Sequence, residues 1–219
     1  MESKNYKVLS IRYIILLVGL CLMSLGIALS IKANLGTTPI SCIPYVLSVK
    51  FSYFTVGEFT ILFNLIFIVL QIILSKSFKI NHIIQVVLIC IFGYIIDFFL
   101  MLLAALTATT YIGAWIICLL GTFSLALGVF LMIKTEISSM PVDGFVFVVS
   151  NLKNYELGNI KIINDISMVI IAAVLSLCFF GQLIGVREGT IVSAFLIGYT
   201  IKIYGKTLGS KIDKIINSV

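Results

Sequence analysis

From Tyr13 to Ile31 nineteen residues pass without a charge, bounded by Arg12 and Lys32. About twenty residues at 1.5 Å each cross a hydrocarbon core near 30 Å, so this run predicts a first membrane-spanning helix. A second is predicted from about Phe59 to Ser75 and a third from about Ile83 to Ala104, separated by a polar turn holding Lys76, Lys79 and His82. From Phe98 to Ile133 no charge appears for thirty-six residues. One helix of that length would measure about 54 Å and overshoot a bilayer, so the run breaks. Thr107, Thr109, Thr110 and Gly113 supply the turn, leaving a fourth span from about Tyr111 to Ile133. A fifth is predicted from Ile162 to Phe180, and a sixth from about Gly189 to Leu208 with Lys202 and Lys206 snorkelling outward. The first run is longer than a signal-peptide core and recurs later in the chain, so it reads as retained.

Composition agrees: 61% of the 219 residues are apolar and 11% charged, against roughly 45–50% and about 25% in a soluble domain. This excludes a soluble enzyme and a secreted disulfide scaffold. The net charge of +6 reads as a loop bias rather than a nucleic-acid footprint, because no basic run is long enough to track phosphates. With six spans and a cytoplasmic N-terminus, twelve Lys/Arg fall inside, and Lys32, Lys50 and Arg187 fall outside. That bias places both termini in the cytoplasm. Counting the short segments after Pro39 and Pro141 as further spans would move Lys76 and Lys79 outside, which argues against eight. Five scattered cysteines without a CxxC pair, and one histidine, give no metal site. No Walker-type loop or redox motif points to a cofactor, so none is expected.

Shifting the chain by 102 residues places Ile14 to Thr55 over Ile116 to Leu157 with thirteen of forty-two positions identical. Gly19 meets Gly121, Gly26 meets Gly128, Lys32 meets Lys134 and Pro39 meets Pro141. After small shifts Gly57 meets Gly158, and Gly93-Tyr94 meets Gly198-Tyr199. The chain therefore reads as a segment 1–12, a three-span repeat 13–106, a second three-span repeat 107–208 and a tail 209–219. Three crossings per half invert the second half. The expected fold is an all-α polytopic membrane protein of six transmembrane helices in two inverted repeats, each with a short interrupted or re-entrant segment. Inverted repeats recur in secondary transporters. Gly19 and Gly26, like Gly121 and Gly128, lie seven apart on one helix face and read as packing positions.

The breaks are Lys32 to Ser41 and Lys134 to Asp143. A Ser or Thr before Pro starts a helix, with the hydroxyl capping and the ring preset at helical φ. Each break thus opens a helix too short to cross, and irregular backbone at membrane depth must line a cavity or be buried in protein. An interfacial helix is the other reading. Asn34, Thr37, Thr38, Pro39 and Ser41 in the first break, with Ser138, Ser139, Pro141 and Asp143 in the second, are the candidate binding residues for a small solute or ion. Lys32 and Lys134 read as snorkelling anchors. Asp97 and Asp165 are ionisable groups within spans and functional suspects. Asn64 and Asn164, at similar places in the two halves, either face a shared cavity or bridge helices. An aspartyl-protease reading fails because neither aspartate has a YD or GxGD setting, and no charge ring or filter supports a channel.

The run Gly26-Ile-Ala-Leu-Ser-Ile-Lys-Ala-Asn-Leu-Gly-Thr-Thr-Pro39 resembles the signature of the bacterial YczE/YyaS/YitT membrane proteins. The run from Gly189 to Gly198 resembles their terminal G-T-x-x-x-A-x-x-x-G pattern. The likeness covers about residues 10 to 208. It implies a multi-pass protein of the bacterial plasma membrane, of the YczE-like branch, and no particular activity. An acidic residue often stands two positions after the family's proline; Asp143 fits, whereas Ser41 replaces it in the first half. The expected function is non-enzymatic: a small-solute secondary transporter or permease. The alternative is a membrane factor that assists or regulates a partner protein. The expected partners are the lipid bilayer, a small solute or ion, and a second copy or another membrane protein; nucleic acid is not among them.

Overall fold

The computed structural model describes residues 2–153 and 155–217; the outermost residues of both terminal segments lie outside that description. The described residues form nine α-helices: α1 (Glu2–Ala33), α2 (Pro39–Lys50), α3 (Val56–Ser75), α4 (Ile80–Leu102), α5 (Tyr111–Thr135), α6 (Pro141–Lys153), α7 (Leu157–Phe180), α8 (Glu188–Thr207) and α9 (Gly209–Asn217). Five are long and apolar enough to cross a membrane: Lys7–Ala33 within α1, and α3, α4, α5 and α7. The segment predicted as a sixth span forms the 20-residue α8, which carries Glu188, Lys202 and Lys206 and is not among these five. The predicted end segments are helical too, because α1 begins at Glu2 and the chain after α8 folds back as α9. Lys134, expected to snorkel, instead holds α9 by an ion pair of 2.7 Å to Asp213.

The centre is the pairing of α1 with α5. Gly19 faces Gly128 and Gly26 faces Gly121, so the two helices run antiparallel. A Cβ on Gly26 would stand 2.6 Å from the Gly121 carbonyl oxygen. Glycine on both sides is what lets the backbones approach this closely. Ser124 Oγ donates to Leu22 O across the same seam at 2.8 Å. Arg12 donates to Thr135 O at 3.1 Å, so α5 ends where α1 begins, at what we call the N-terminal face. At the far face Lys32 Nζ donates to Ala104 O beyond the end of α4, and Gly189 N donates to Leu35 O at the start of α8.

Two groups of helices form around separate apolar cores. Leu16, Leu20, Met23, Phe92, Ile96 and Leu125 join α1, α4 and α5, and α8 packs on α5 as α4 packs on α1. Cys42, Val46, Phe67, Val142, Met168 and Ala172 join α2, α3, α6 and α7. Here α2 packs on α7 and on α3, while α6 packs on α3 and on α7. The short helices lie against the middles of the long ones. Cys42 Sγ is 3.5 Å from the carbonyl of Met168, the twelfth of 24 residues in α7. The rings of Phe145 and Phe67, the latter twelfth of 20 in α3, have centroids 5.2 Å apart. From Cys42, α2 runs outward until Lys50 sits over the Phe179 ring at the far-face end of α7.

Candidate functional site

Each short helix begins at its proline, at the predicted position, but the start of α2 is not built as expected. Thr38 is extended and makes no capping bond to the helix; its Oγ1 lies 2.8 Å from Ser41 Oγ. Instead, each break is tied down by the other half of the chain. Thr37 N donates to Gly185 O at 2.8 Å and Arg187 donates to Asn34 O at 2.8 Å, so the loop before α8 holds the first break. Gln71 Nε2 donates to Pro141 O at 2.9 Å and Gln85 Nε2 to Ser139 O at 3.1 Å, so α3 and α4 hold the second. Both glutamines are buried. In return the break's carbonyls satisfy the amide donors of two buried side chains, which would cost free energy if left unpaired. Asn34 and Glu136 stand at matching places in the two repeats and both turn the chain with positive φ, 55° and 53°. Ser138 is half-buried and Ser139 exposed.

The charged centre lies where α6 meets the first half of α7. Asp143, in the first turn of α6, accepts from Lys161 at 2.8 Å, and Lys161 lies 3.4 Å from Asp165 one turn further along α7. The side chains are 37%, 31% and 21% exposed in that order. Two carboxylates and one ammonium leave this cluster one negative charge in excess. Asp165 Oδ1, the oxygen that faces Lys161, is buried, as is the neighbouring amide Nδ2 of Asn164. Ionisable groups in membrane-crossing helices are costly and mark functional positions by default. Lys161 escapes the sequence reading because the predicted span starts at Ile162, whereas α7 begins four residues before Lys161, at Leu157. Gln71 and Gln85 escape it because they carry no charge; polar residues inside apolar runs were the available signal.

The first half holds a neutral copy of this cluster. The shift of 101 residues that places Gly57 on Gly158 puts Thr60 at Lys161 and Asn64 at Asp165, and the 102 shift puts Ser41 at Asp143. Asn64 is thus the counterpart of Asp165, one position from Asn164. It does not bridge helices: its Nδ2 donates to Thr60 O within α3 at 2.8 Å, and both residues are buried.

Asp97 belongs to neither cluster. Its carboxylate accepts from Gly57 N at 2.8 Å and from Thr55 Oγ1 at 2.6 Å, so α4 caps the start of α3. Gly57 and Gly93 touch at the same place, backbone to backbone. No comparable packing joins α7 to α8 among the described residues. Two surface cavities lie apart from the charged cluster. One of about 590 Å³ at the far face is lined by Lys32, Asn34, Tyr45, Thr110 and Arg187, among others, and one of about 350 Å³ at the N-terminal face by Arg12, Lys134, Glu136 and Asp213.

Residues 10–206 match a family model described as a family of unknown function, DUF6198. The chain is also similar to a protein of Bacillus subtilis (strain 168) described as uncharacterized protein YyaS. The two are 27% identical over 136 residues, 62% of this chain and 66% of that one, so the chain spans just under two thirds of the relative's length. No solved structure matches.

Proposed function

Starting from the fact that this chain belongs to the DUF6198 family and has five helices long and apolar enough to cross a membrane, we propose that it is a small-solute secondary transporter of the bacterial plasma membrane. In this reading the chain makes six crossings as two inverted repeats, with α8 as the sixth, α2 and α6 as re-entrant half-helices, and both termini in the cytoplasm. The antiparallel α1–α5 seam supports the inversion, since Gly19 on Gly128 and Gly26 on Gly121 are one contact repeated about a two-fold axis. The mid-helix positions of Cys42 against Met168 and Phe145 against Phe67 support the re-entrant reading over an interfacial one.

The carrying observation is the pairing of a charged cluster with a buried neutral copy. Asp143, Lys161 and Asp165 are part-exposed, while Thr60 and Asn64 are buried in α3. A solute or ion is held between α2, α6 and α7, and the α2/α3/α6/α7 group rocks against α1, α4, α5 and α8. Binding sites between inverted repeats, formed by interrupted helices, are the recurrent transporter solution. No chemistry on the solute is needed, so the activity is not enzymatic.

The test is thermal unfolding of the purified protein against a panel of metabolites and inorganic ions, alongside Asp143→Asn and Asp165→Asn. A ligand at a hundred times its dissociation constant adds about 2.7 kcal/mol. A hit lost in both variants supports the reading. Hits unaffected by either variant, or none at all, favour the alternative of a membrane factor that assists a partner protein.

A further inference from the structure

Among the described residues the main helix pairings of the two halves match except that α3 packs on α4 and α7 does not pack on α8, and that exception has a defined shape. In the first half, Gly57 at the start of α3 packs backbone to backbone on Gly93 of α4, and Asp97 one turn later accepts from Gly57 N and from the hydroxyl of Thr55, the residue before α3. The counterparts are Gly158 at the start of α7, Gly198 of α8, Lys202 one turn later and Glu156, the residue before α7. The motif is the same: Gly93-Tyr-Ile-Ile-Asp97 against Gly198-Tyr-Thr-Ile-Lys202. Yet a Cβ on Gly158 or on Gly198 would meet nothing within 4 Å.

A glycine inside a helix lowers its stability and is kept where another backbone comes close. Gly198 has no such neighbour in this conformation. The chemistry at the other pair of positions has changed in step. Where the first half sets a carboxylate, Asp97, against a hydroxyl, Thr55, the second sets an ammonium, Lys202, against a carboxylate, Glu156. Both are exposed and not paired with each other. Opposite charges at positions that the repeat brings together attract, and like charges would repel.

We infer that the α8 face carrying Gly198 and Lys202 is a docking surface for the start of α7: in a second conformation Gly158 seats on Gly198 and Glu156 pairs with Lys202, closing the N-terminal face as Gly57, Gly93 and Asp97 close the far face here. The structure described is then the conformation with the far-face clasp shut and the N-terminal-face clasp open. The open clasp explains why Lys161, one turn into α7 from Gly158, is part-exposed while its counterpart Thr60 is buried. This inference rests on the inverted-repeat reading above, and it names the residues that gate the proposed site.

The experiment crosslinks Glu156→Cys with Lys202→Cys in the full chain in native membranes, in a background with the five native cysteines replaced. A short bis-thiol reagent is used, and Thr55→Cys with Asp97→Cys is the matching far-face pair. The expected result is an intramolecular 156–202 crosslink. Adding Gly198→Leu, whose side chain enters open space in the present conformation, slows that crosslink at least tenfold and leaves the thermal unfolding midpoint unchanged. An absent 156–202 crosslink while 55–97 forms overturns the inference, as does a 156–202 product that is exclusively a dimer, which would mean that a second copy covers this face. Transport is scored separately, by crosslinking both pairs in one chain. If each crosslink excludes the other, the clasps alternate. If both form in the same molecule, the docking stands and alternating access fails.

Discussion

Gly26 and Gly121 face each other so closely that a Cβ on either would stand 2.6–2.8 Å from the other's carbonyl oxygen. The neighbouring pair, Gly19 with Gly128, repeats the contact seven residues away along both helices. Four glycines thus define the line along which the two halves of the chain meet.

Alanine at Gly26 or at Gly121 forces α1 and α5 apart, because the obstructing atoms are backbone and the Cβ of Leu125 or Leu29 rather than a flexible side-chain tip. Overpacking of this kind costs about 1–3 kcal/mol. Thermal unfolding in detergent should show Gly26→Ala well below the wild type. Gly158→Ala, with open space around it, should lie at or above the wild type.

Asp97→Ala strips the start of α3 of an acceptor for Gly57 N and Thr55 Oγ1. Leaving such donors unpaired costs about 1–3 kcal/mol each when buried, less where water reaches them. The unfolding midpoint should fall, and a thiol placed at Asn64 should react faster with a water-soluble maleimide as the clasp loosens. An Asp97→Asn change keeps one acceptor oxygen and should fall between the two.

Gln71→Leu and Gln85→Leu remove the donors that hold the Pro141 and Ser139 carbonyls. Each removes a hydrogen bond made by a buried amide and is expected to cost about 0.5–1.5 kcal/mol. Because Gln71 Nε2 also lies 3.4 Å from Gln85 Oε1, the double variant should cost less than the sum. Strict additivity in a double-mutant cycle would show that the two side chains act independently.

Lys161→Met leaves Asp143 and Asp165 facing each other without their shared cation. Removing one partner of a fully buried pair costs about 3–5 kcal/mol, and the part-exposed side chains here reduce that figure. The variant should be destabilised at neutral pH. Adding Asp143→Asn to it should restore part of the loss, measured by the same unfolding assay; no restoration would separate the two residues.

Much of the architecture was legible in local pattern. The run lengths located the long helices, and the repeat located the two short ones, each starting at its proline. The glycine pairs named the seam. What was not legible depends on contacts across the chain. Asp97 looked like a buried functional carboxylate, yet it caps a helix forty residues away, and nothing in its neighbours says so. Lys161 reads as a loop charge because the predicted span starts one residue after it, whereas the helix starts four residues before it. Asn64 and Asn164 are alike in type, and the register that sets Gly57 on Gly158 places Asn64 opposite the next residue, Asp165.

The most direct test of the central claim labels Asp165→Cys and Asn64→Cys with membrane-impermeant maleimides in sealed right-side-out and inside-out vesicles. Inverted halves around one alternately exposed site predict that Asp165→Cys reacts from the cytoplasmic face and Asn64→Cys, more slowly, from the opposite face. Reaction of both from the same face, or with lipid-soluble reagents alone, would contradict the account.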